Sequence, residues 1–409
     1  MNKYFFVLIL FIYIYNPVFA VSPFPTIYVV YLVCTVIVLA QRNFIKVISN
    51  GYSLKLLLFS SILFVYSALL SILGGEWHYF NNLIKLIIDT IIVAPAFYLL
   101  FKRKNWGLNK LIHFFIIISL IQSLICLIMF VNESFRNFIL FKIMDLSNSK
   151  IVTSGNISFR GYGIATGYLF VLPLFQAFTI LLVLFKSNYN IIAKIFLIIL
   201  ITFSILVNAR IGLTVLPVAL LVYFLFTSKN IKSIIKKFVS LAIVILFVLI
   251  SYYPVRNYLV ERNDTARWVF TGIELSLGIS DLNQMSTNER LIKYHLHFPS
   301  DKNTLLFGSG IDISMPNSSY PHSDIGYIQY IYYGGLFFLI LFLIFYYNLL
   351  KPLIITKEMS WRLLYFASGI FLLIAHFKGD AFLSNSFTRA LILVSYFKYL
   401  QNTKKISSS

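Results

Sequence analysis

The chain has 409 residues, of which 59% are hydrophobic and only 12% are charged, and its mean hydropathy is +0.84. This composition excludes a soluble globular protein of that length and predicts a polytopic membrane protein. The formal net charge of +20 does not indicate a partner nucleic acid, because the basic residues fall in short clusters between apolar runs. No Walker motif or Gly-rich nucleotide loop is present, which excludes an ATP-driven protein.

Apolar segments, each near the length that crosses about 30 Å of hydrocarbon, predict an all-α fold with about 12 transmembrane helices. They cover residues 4–20, 26–40, 56–73, 82–101, 109–131, 161–185, 191–208, 211–226, 236–252, 325–350, 361–377 and 381–400. The first segment ends in a sequence with Val18 and Ala20 that resembles a signal-peptidase site, but we expect an uncleaved first helix. Residues 1–409 then form a single membrane domain.

The short loops between these segments predict the orientation of the chain. Every second loop is basic, with Arg42, Lys46 and Lys55 in one, then Lys102, Arg103, Lys104 and Lys110, then Lys186 and Lys194, then Lys229, Lys232, Lys236 and Lys237, then Lys351, Lys357 and Arg362. The intervening short loops, 21–25 and 74–81, contain no Lys or Arg. By the positive-inside rule, the basic side and both termini of this multi-pass protein are cytoplasmic.

Two long loops are left on the other face, at residues 132–160 and 253–324. The second is one large extracytoplasmic loop late in the chain. It carries amphipathic stretches near Thr265–Leu277 and Glu289–Phe298. Because it is too small to fold as an independent domain, we expect it to lie across the mouth of the helix bundle.

Two arginines lie where this outer face meets the apolar segments. Arg160 closes the first long loop directly before a span, and Arg210 lies in the tight hairpin between two spans, in the sequence VNARIG. An ionisable side chain at or below the membrane surface indicates function, because burying it without a partner costs several kcal/mol. The alternative for Arg210 is that its side chain extends to lipid phosphates.

Further arginines lie in the large loop, at Arg256, Arg262, Arg267 and Arg290. A guanidinium binds phosphate through two parallel hydrogen bonds and keeps its charge, so several arginines facing one cavity suit a pyrophosphate. Taken singly, each of the four is also compatible with a solvated surface position.

The one candidate acid or base is His322, which precedes the apolar run from Ile325 onward. An imidazole takes up a proton near neutral pH, although a histidine at a helix entrance can also be without chemistry. We expect Asp324 to cap the helix rather than to orient His322. Upstream, Gly308 and Gly310 predict a tight bend whose backbone donors stay exposed.

Other titratable side chains give weaker signals. His295 and His297 are two residues apart, but with no third ligand nearby in the sequence we interpret them as packing residues of an interfacial helix and predict no metal site. Asp89 and His113 both fall within spans, where they either pair with each other or line the cavity.

Within this predicted architecture the sequence contains four short patterns. They are ISFRGYG around Arg160, NARIGL around Arg210, the segment Asn288-Glu289-Arg290, and FGSGI followed by PHSDIGYIQYIYYGG around His322. Together with a large outer loop late in the chain, they resemble the family of Wzy-type O-antigen and capsular polysaccharide polymerases and their relatives, the O-antigen ligases.

This resemblance implies a glycosyltransferase that polymerises undecaprenyl-pyrophosphate-linked oligosaccharide repeat units into O antigen or capsular polysaccharide. The reaction takes place on the outer face of a bacterial cytoplasmic (inner) membrane, without a cofactor or a metal. The implied catalytic residues are His322, which orients or deprotonates the acceptor hydroxyl, and Arg210. Those that hold the pyrophosphate are Arg160, Arg290, Arg256 and Arg262. The implied partners are the lipid-linked glycans, membrane lipid and a chain-length regulator protein, and no nucleic acid.

The sequence also departs from the family. The histidine of the ligases is often followed by Asn, whereas Ser323 follows His322 here, and the Arg-x10-Gly pattern of some polymerases is absent, since positions 171 and 301 are Val171 and Asp301. Two alternatives stay open. One is an O-antigen ligase that moves the glycan to lipid A core. The other is a glycolipid flippase, for which short loops on both sides and charges in mid-membrane are expected.

Overall fold

A computed structural model describes residues 3–20, 24–41, 50–74, 76–144, 163–165, 171–228, 232, 235, 252–254, 256–261, 264–277, 289, 291–314, 320–383 and 385–407. Within these ranges the regular structure is helical, and they contain no β-strand. The predicted all-α fold is therefore confirmed for the part of the chain that is described.

The helices used below are labelled in chain order. They are α1 (Lys3–Tyr15), α2 (Ile27–Leu39), α3 (Gly51–Gly74), α4 (His78–Ile88), α5 (Ala94–Arg103), α6 (Leu108–Val131), α7 (Glu133–Asn137), α8 (Val171–Phe185), α9 (Ile191–Leu206), α10 (Val215–Thr227), α11 (Asp264–Leu277), α12 (Lys302–Phe307), α13 (Gly326–Ile354), α14 (Met359–His376) and α15 (Ser386–Ser407). A π-helical turn, Asp89–Val93, joins α4 to α5, and a 3₁₀ turn, Arg210–Thr214, precedes α10.

Five helical stretches are long and apolar enough to cross a membrane. They are α3, the continuous stretch His78–Arg103, α6, α13 and α14. Shorter apolar helices cover Lys3–Tyr15, Ile27–Leu39, Leu172–Phe185, Ile191–Leu206 and Ile211–Thr227. These helices are consistent with the predicted membrane protein. The number of twelve spans stays a prediction, because residues 236–251, which make up nearly all of the predicted span 236–252, lie outside the described residues.

Helices α13 and α15 lie at the centre of the bundle. Helix α13 contacts α3, α12, α14 and α15, and α15 also contacts α1, α5, α6 and α8. The side chains of α15 from Phe387 to Phe397 are buried on every face of the helix. In contrast, α2 and α3 leave large apolar side chains such as Leu32, Leu58 and Leu73 exposed, which is the pattern of helices at a lipid boundary.

The two ends of the bundle differ in charge. At one end, the Nζ atom of Lys186 lies 3.2 Å from Oε2 of Glu358, and that of Lys398 lies 4.0 Å from Oε1. His322 lies just before the opposite end of α13. There the centroids of the Tyr330 and His376 rings are 4.6 Å apart. These ends are called the basic end and the His322 end below. Lys186, from one of the basic loops, and Lys398, from the C-terminal helix, therefore meet at one end, as the loop pattern predicts.

The glycine-rich bend before His322 docks on a kink in α13. The kink is at Gly335, with φ 70° and ψ −176°, and such a break leaves helix carbonyls without their own partners. The N–H of Ser309 donates to Tyr332 O at 2.8 Å, and the N–H of Gly310 donates to Tyr333 O at 2.9 Å. The prediction that the donors of this bend stay exposed is therefore wrong, because α13 uses them.

Gly335 tests this docking. A Cβ atom at Gly335 meets the carbonyl oxygen of Leu306 at 2.2 Å, and an L residue at this φ costs about 1–2 kcal/mol before any clash. We expect Gly335→Ala to destabilise the protein by at least about 2 kcal/mol, measured by thermal unfolding in detergent. The control is Gly369→Ala in α14, where the nearest atom to a Cβ is 3.9 Å away and the change is expected to be neutral or stabilising. An unchanged melting temperature for Gly335→Ala contradicts the docking.

Asp89 and His113 do not pair with each other. The hydroxyl of Tyr13 donates to Asp89 Oδ1 at 3.0 Å, and Arg389 Nε of α15 lies 3.5 Å from Asp89 Oδ2. His113 instead has its Nδ1 atom 2.6 Å from the hydroxyl of Tyr189. Arg389, which the sequence analysis did not single out, is therefore the charged partner of Asp89 inside the bundle.

Candidate functional site

His322 is held by hydrogen bonds just before the first turn of α13. Its Nδ1 atom lies 3.0 Å from the carbonyl oxygen of Ile313, and its Nε2 atom lies 3.0 Å from Oδ1 of Asp324. The ring is partly exposed, so a molecule at this end of the bundle can reach it.

The residue that anchors this segment is Ser323, which is fully buried. Its N–H donates to Ile313 O at 3.1 Å, and its Oγ donates to His295 O at 2.7 Å. The same Oγ accepts the N–H of Ile325 at 3.1 Å, where α13 begins. Small size and a hydroxyl suit Ser323 to this position, because its buried oxygen both donates and accepts. These bonds fix the backbone directly after His322.

Asp324 does not cap the helix as predicted. The N-cap position of α13 is Ile325, which has no side-chain cap hydrogen bond. The carboxylate of Asp324 instead lies between two imidazoles, with Oδ1 at 3.0 Å from His322 Nε2 and Oδ2 at 3.7 Å from His295 Nε2. The prediction failed because the helix begins one residue later than expected, so that Asp324 precedes the N-cap residue Ile325 and its carboxylate turns outward.

His295 is therefore part of the site, and its interpretation as a packing residue is wrong. It ends the π-helical turn Leu291–His295, and its Nδ1 atom accepts the backbone N–H of Asp324 at 3.1 Å. Its ring is perpendicular to that of His322, with 5.6 Å between the centroids. The second histidine of the pair, His297, lies beside Tyr332, with its Nδ1 atom 3.3 Å from the hydroxyl.

The hydrogen-bond pattern assigns protons to the two rings. Because Nδ1 of His295 accepts an N–H, the proton of the neutral ring is on Nε2, which faces Asp324. In His322 both nitrogens face oxygen atoms, those of Ile313 and Asp324. A proton on Nδ1 of His322 donates to the Ile313 carbonyl. The lone pair of Nε2 then faces the Asp324 carboxylate, unless Nε2 is also protonated or another group lies between the two atoms.

The three side chains also have the composition of a metal site. One ligand atom of each of His295, His322 and Asp324 lies within 4.8 Å of the others, and two histidines with a carboxylate suit a transition metal. However, a metal on Nε2 of His295 requires a proton on Nδ1, and that proton meets the N–H of Asp324 at 3.1 Å. The described contacts therefore fit a group that shares protons better than a metal centre.

Of the predicted phosphate-binding arginines, Arg160, Arg262 and Arg290 lie outside the described residues. Arg210 begins the 3₁₀ turn Arg210–Thr214, at the hairpin between α9 and α10, and the description covers its backbone only. The structure thus places the backbone of Arg210 in the predicted tight hairpin, and the role of its guanidinium stays a prediction.

Arg256 already has a carboxylate partner. Its Nε donates to Oε1 of Glu274 at 2.5 Å and its Nη2 donates to Oε2 at 3.3 Å. This hydrogen-bonded pairing with Glu274 raises the pKa of the guanidinium. A phosphate has to displace Glu274 before it can bind Arg256 through both nitrogens.

Beside Arg210, the hairpin buries polar groups without partners. The side chain of Asn208 is completely buried, and among the described residues neither its Oδ1 nor its Nδ2 has a hydrogen-bond partner. The Nε2 atom of Gln122, on α6, is also buried and unpartnered. The hairpin is tightly packed, since a Cβ at Gly212 meets the carbonyl oxygen of Pro173 at 2.8 Å. Buried amides without partners each cost about 1–3 kcal/mol, so they are suited to bind a polar ligand.

A second acidic group at the His322 end has a structural role. Oδ1 of Asp380, in the loop between α14 and α15, accepts the hydroxyl of Tyr330 at 2.7 Å and the N–H groups of Phe382 and Leu383 at 3.1 and 3.2 Å. Burial raises the pKa of Asp380 to about 6. The carboxylate thus ties the start of α13 to the loop that leads into α15.

The chain matches no protein-family model, no curated protein and no solved structure. What the His322 end can do must therefore be inferred from its own residues. Those that the structure brings together are His295, His322 and Asp324, which the sequence places in two separate segments. The sequence drew attention to His295 through its spacing of two residues from His297, but nothing in the spacing linked it to Asp324.

Proposed function

We propose that this protein polymerises undecaprenyl-pyrophosphate-linked repeat units into O antigen or a capsular polysaccharide. It is then a glycosyltransferase of the Wzy type in the cytoplasmic membrane of a bacterium, with both termini cytoplasmic and the His322 end outside. The observation that carries the proposal is the pair of His322 and Asp324, at 3.0 Å. It lies at the start of a membrane-spanning helix and at the end of the bundle opposite the clustered lysines. The four local patterns around Arg160, Arg210, Arg290 and His322 support it.

The chemistry follows from these groups. Nε2 of His322 takes the proton of an acceptor hydroxyl on one repeat unit, and the oxygen attacks the anomeric carbon of the donor glycan. The bond from that carbon to the pyrophosphate breaks, and undecaprenyl pyrophosphate leaves with the electron pair. Arg210, with Arg160 and Arg290, stabilises the charge on the leaving pyrophosphate.

Arg210 is expected to be sensitive to a conservative change. We expect Arg210→Ala to abolish chain growth while the protein still accumulates, and Arg210→Lys to recover little of it, because an ammonium cannot form the two parallel hydrogen bonds of a guanidinium. The measurement is the ladder of surface glycan on a gel, with the protein quantified by immunoblot. Wild-type polymer in both variants contradicts a role for Arg210 in binding pyrophosphate.

Replacing Asn208 by an apolar residue should raise the stability of the protein and lower its activity. We expect Asn208→Leu to stabilise the substrate-free protein by about 1–3 kcal/mol, because it removes two buried polar atoms without partners, and to shorten the polymer. Thermal unfolding in detergent and the glycan ladder measure the two effects. Asn348→Leu is the control, since the Nδ2 of Asn348 donates to the Ile344 carbonyl of its own helix, at 2.8 Å, and the change should leave the ladder unchanged. A less stable Asn208→Leu protein with normal polymer contradicts a ligand-binding role.

The size profile of surface glycan from cells that lack the gene tests the whole proposal. A shift from a ladder to lipid A core with a single repeat unit supports the polymerase. Loss of all repeat units from the core, with long chains still on undecaprenyl pyrophosphate, indicates the O-antigen ligase. Single repeat units that accumulate on undecaprenyl pyrophosphate and stay inside the cell indicate a flippase. An unchanged ladder contradicts all three functions.

A further inference from the structure

We propose that His295 is a positioning residue for the reaction at His322, because it takes over the carboxylate of Asp324 when an acceptor hydroxyl binds His322. This inference rests on the proposed function of His322 as a proton acceptor. It adds a second histidine that does not touch the substrate and acts through Asp324.

The starting point is that His322 has no free nitrogen. The Ile313 carbonyl lies 3.0 Å from Nδ1, and Asp324 Oδ1 lies 3.0 Å from Nε2. The Ile313 carbonyl belongs to the backbone and also accepts the N–H of Ser323 at 3.1 Å, so it cannot leave Nδ1 without breaking the turn. A general base needs a lone pair within hydrogen-bond reach of its substrate. It is therefore the Asp324 carboxylate that has to leave, and Nε2 is the nitrogen that it exposes.

His295 is in place to receive this carboxylate. Its Nε2 atom lies 3.7 Å from Oδ2 of Asp324, a little beyond hydrogen-bond distance. The side chain of Asp324 is 57% exposed, so it has room to turn. The ring of His295 is already oriented, because its Nδ1 accepts the N–H of Asp324 and the carbonyl of His295 accepts the hydroxyl of Ser323.

The proton on Nε2 of His322 decides which of the two histidines attracts the carboxylate of Asp324. When an acceptor hydroxyl donates to Nε2 of His322, the carboxylate has no donor there, and the N–H on Nε2 of His295 attracts it. Once Nε2 of His322 has taken the proton of the acceptor hydroxyl, the resulting N–H attracts the carboxylate back. Asp324 thus has a donor at each stage and stabilises the protonated ring that forms in the reaction. The proton leaves His322 for water or for the departing pyrophosphate.

Two substitutions of His295 separate its two contacts. His295→Asn retains an acceptor for the N–H of Asp324 but has no donor at the position of Nε2, whereas His295→Gln places an amide N–H near that position. The assay uses the full-length protein in membranes, with repeat units on undecaprenyl pyrophosphate extracted from cells that lack the gene. We expect His295→Ala and His295→Asn to lower kcat by about 10- to 100-fold with little change in KM. His295→Gln is expected to recover most of the rate.

The control is Lys293→Ala, an exposed residue of the same π-helical turn, which should retain wild-type kcat. Recovery by His295→Asn but not by His295→Gln overturns the proposal, because it shows that His295 only anchors the backbone of Asp324. Wild-type kcat in all three variants, with no activity in His322→Ala, overturns the role of His295 alone. Full activity in His322→Ala overturns the proposed function as well. Activity that is lost on treatment with EDTA and restored by Zn²⁺ overturns the exchange in favour of a metal centre.

Discussion

His322→Ala is expected to lower the rate of repeat-unit transfer by about 10²- to 10⁴-fold, the range that a positioned acid or base contributes. The substitution removes the group that we propose as proton acceptor, together with the hydrogen bonds to Ile313 and Asp324. The backbone of the segment should stay in place, because Ser323 holds it independently of the imidazole. The protein should therefore accumulate normally while the glycan ladder is lost.

The matched control is His113→Ala. This histidine is bound to the hydroxyl of Tyr189 at 2.6 Å and lies near the first turn of α6, far along the chain from the His322 segment. We expect it to leave the ladder intact. Initial rates with extracted lipid-linked repeat units then separate slow transfer from poor expression. Polymer of wild-type length and amount in His322→Ala would show that the reacting group lies elsewhere.

Arg389→Met is expected to destabilise the protein by about 3–5 kcal/mol, the cost of leaving a buried charge without its partner. Arg389 and Asp89 are both buried, at 4% and 0% exposure. The guanidinium lies 3.5 Å from the carboxylate, and its Nη1 donates to the carbonyl of Tyr13 at 3.1 Å. After the substitution, Asp89 keeps the hydroxyl of Tyr13 but loses the positive charge.

A double-mutant cycle distinguishes a lost ion pair from a packing defect. The double variant Arg389→Met with Asp89→Leu removes both charges, so it should recover most of the stability that the single variant loses. Thermal unfolding of the purified proteins in detergent measures all four corners of the cycle. If the double variant is as unstable as Arg389→Met, the loss comes from packing around α15 and the ion pair contributes little.

Several features of the fold were predictable because they depend on short stretches of sequence. Residues 109–131 and 325–350 are long and apolar, and hydrocarbon can be crossed only by a helix that satisfies its own backbone groups, so both stretches were recognised before the structure. The lysines of alternate loops predicted one basic end, and the structure brings Lys186 and Lys398 together there around Glu358. His322 was identified as a candidate from its position at a helix entrance.

Two of the failed predictions concern the choice between competing partners. Asp324 was expected to cap α13, but the N-cap position is Ile325, and the carboxylate of Asp324 faces two imidazoles instead. The N–H groups of Ser309 and Gly310 were expected to stay exposed, but the break at Gly335 supplies carbonyls for them. In each case the sequence shows that a hydrogen-bond donor or acceptor is present, but it does not show which partner that group has in the folded structure.

The sequence by itself therefore determined the helical fold of the described residues, where their longest apolar helices lie, and which loops are basic. Those properties follow from hydropathy and charge, which depend on each short segment of the chain separately. Only the tertiary structure decided that His295 meets Asp324 and His322, and that Arg389 meets Asp89. These contacts join segments that are far apart in the chain, so they exist only after the helices have packed against one another.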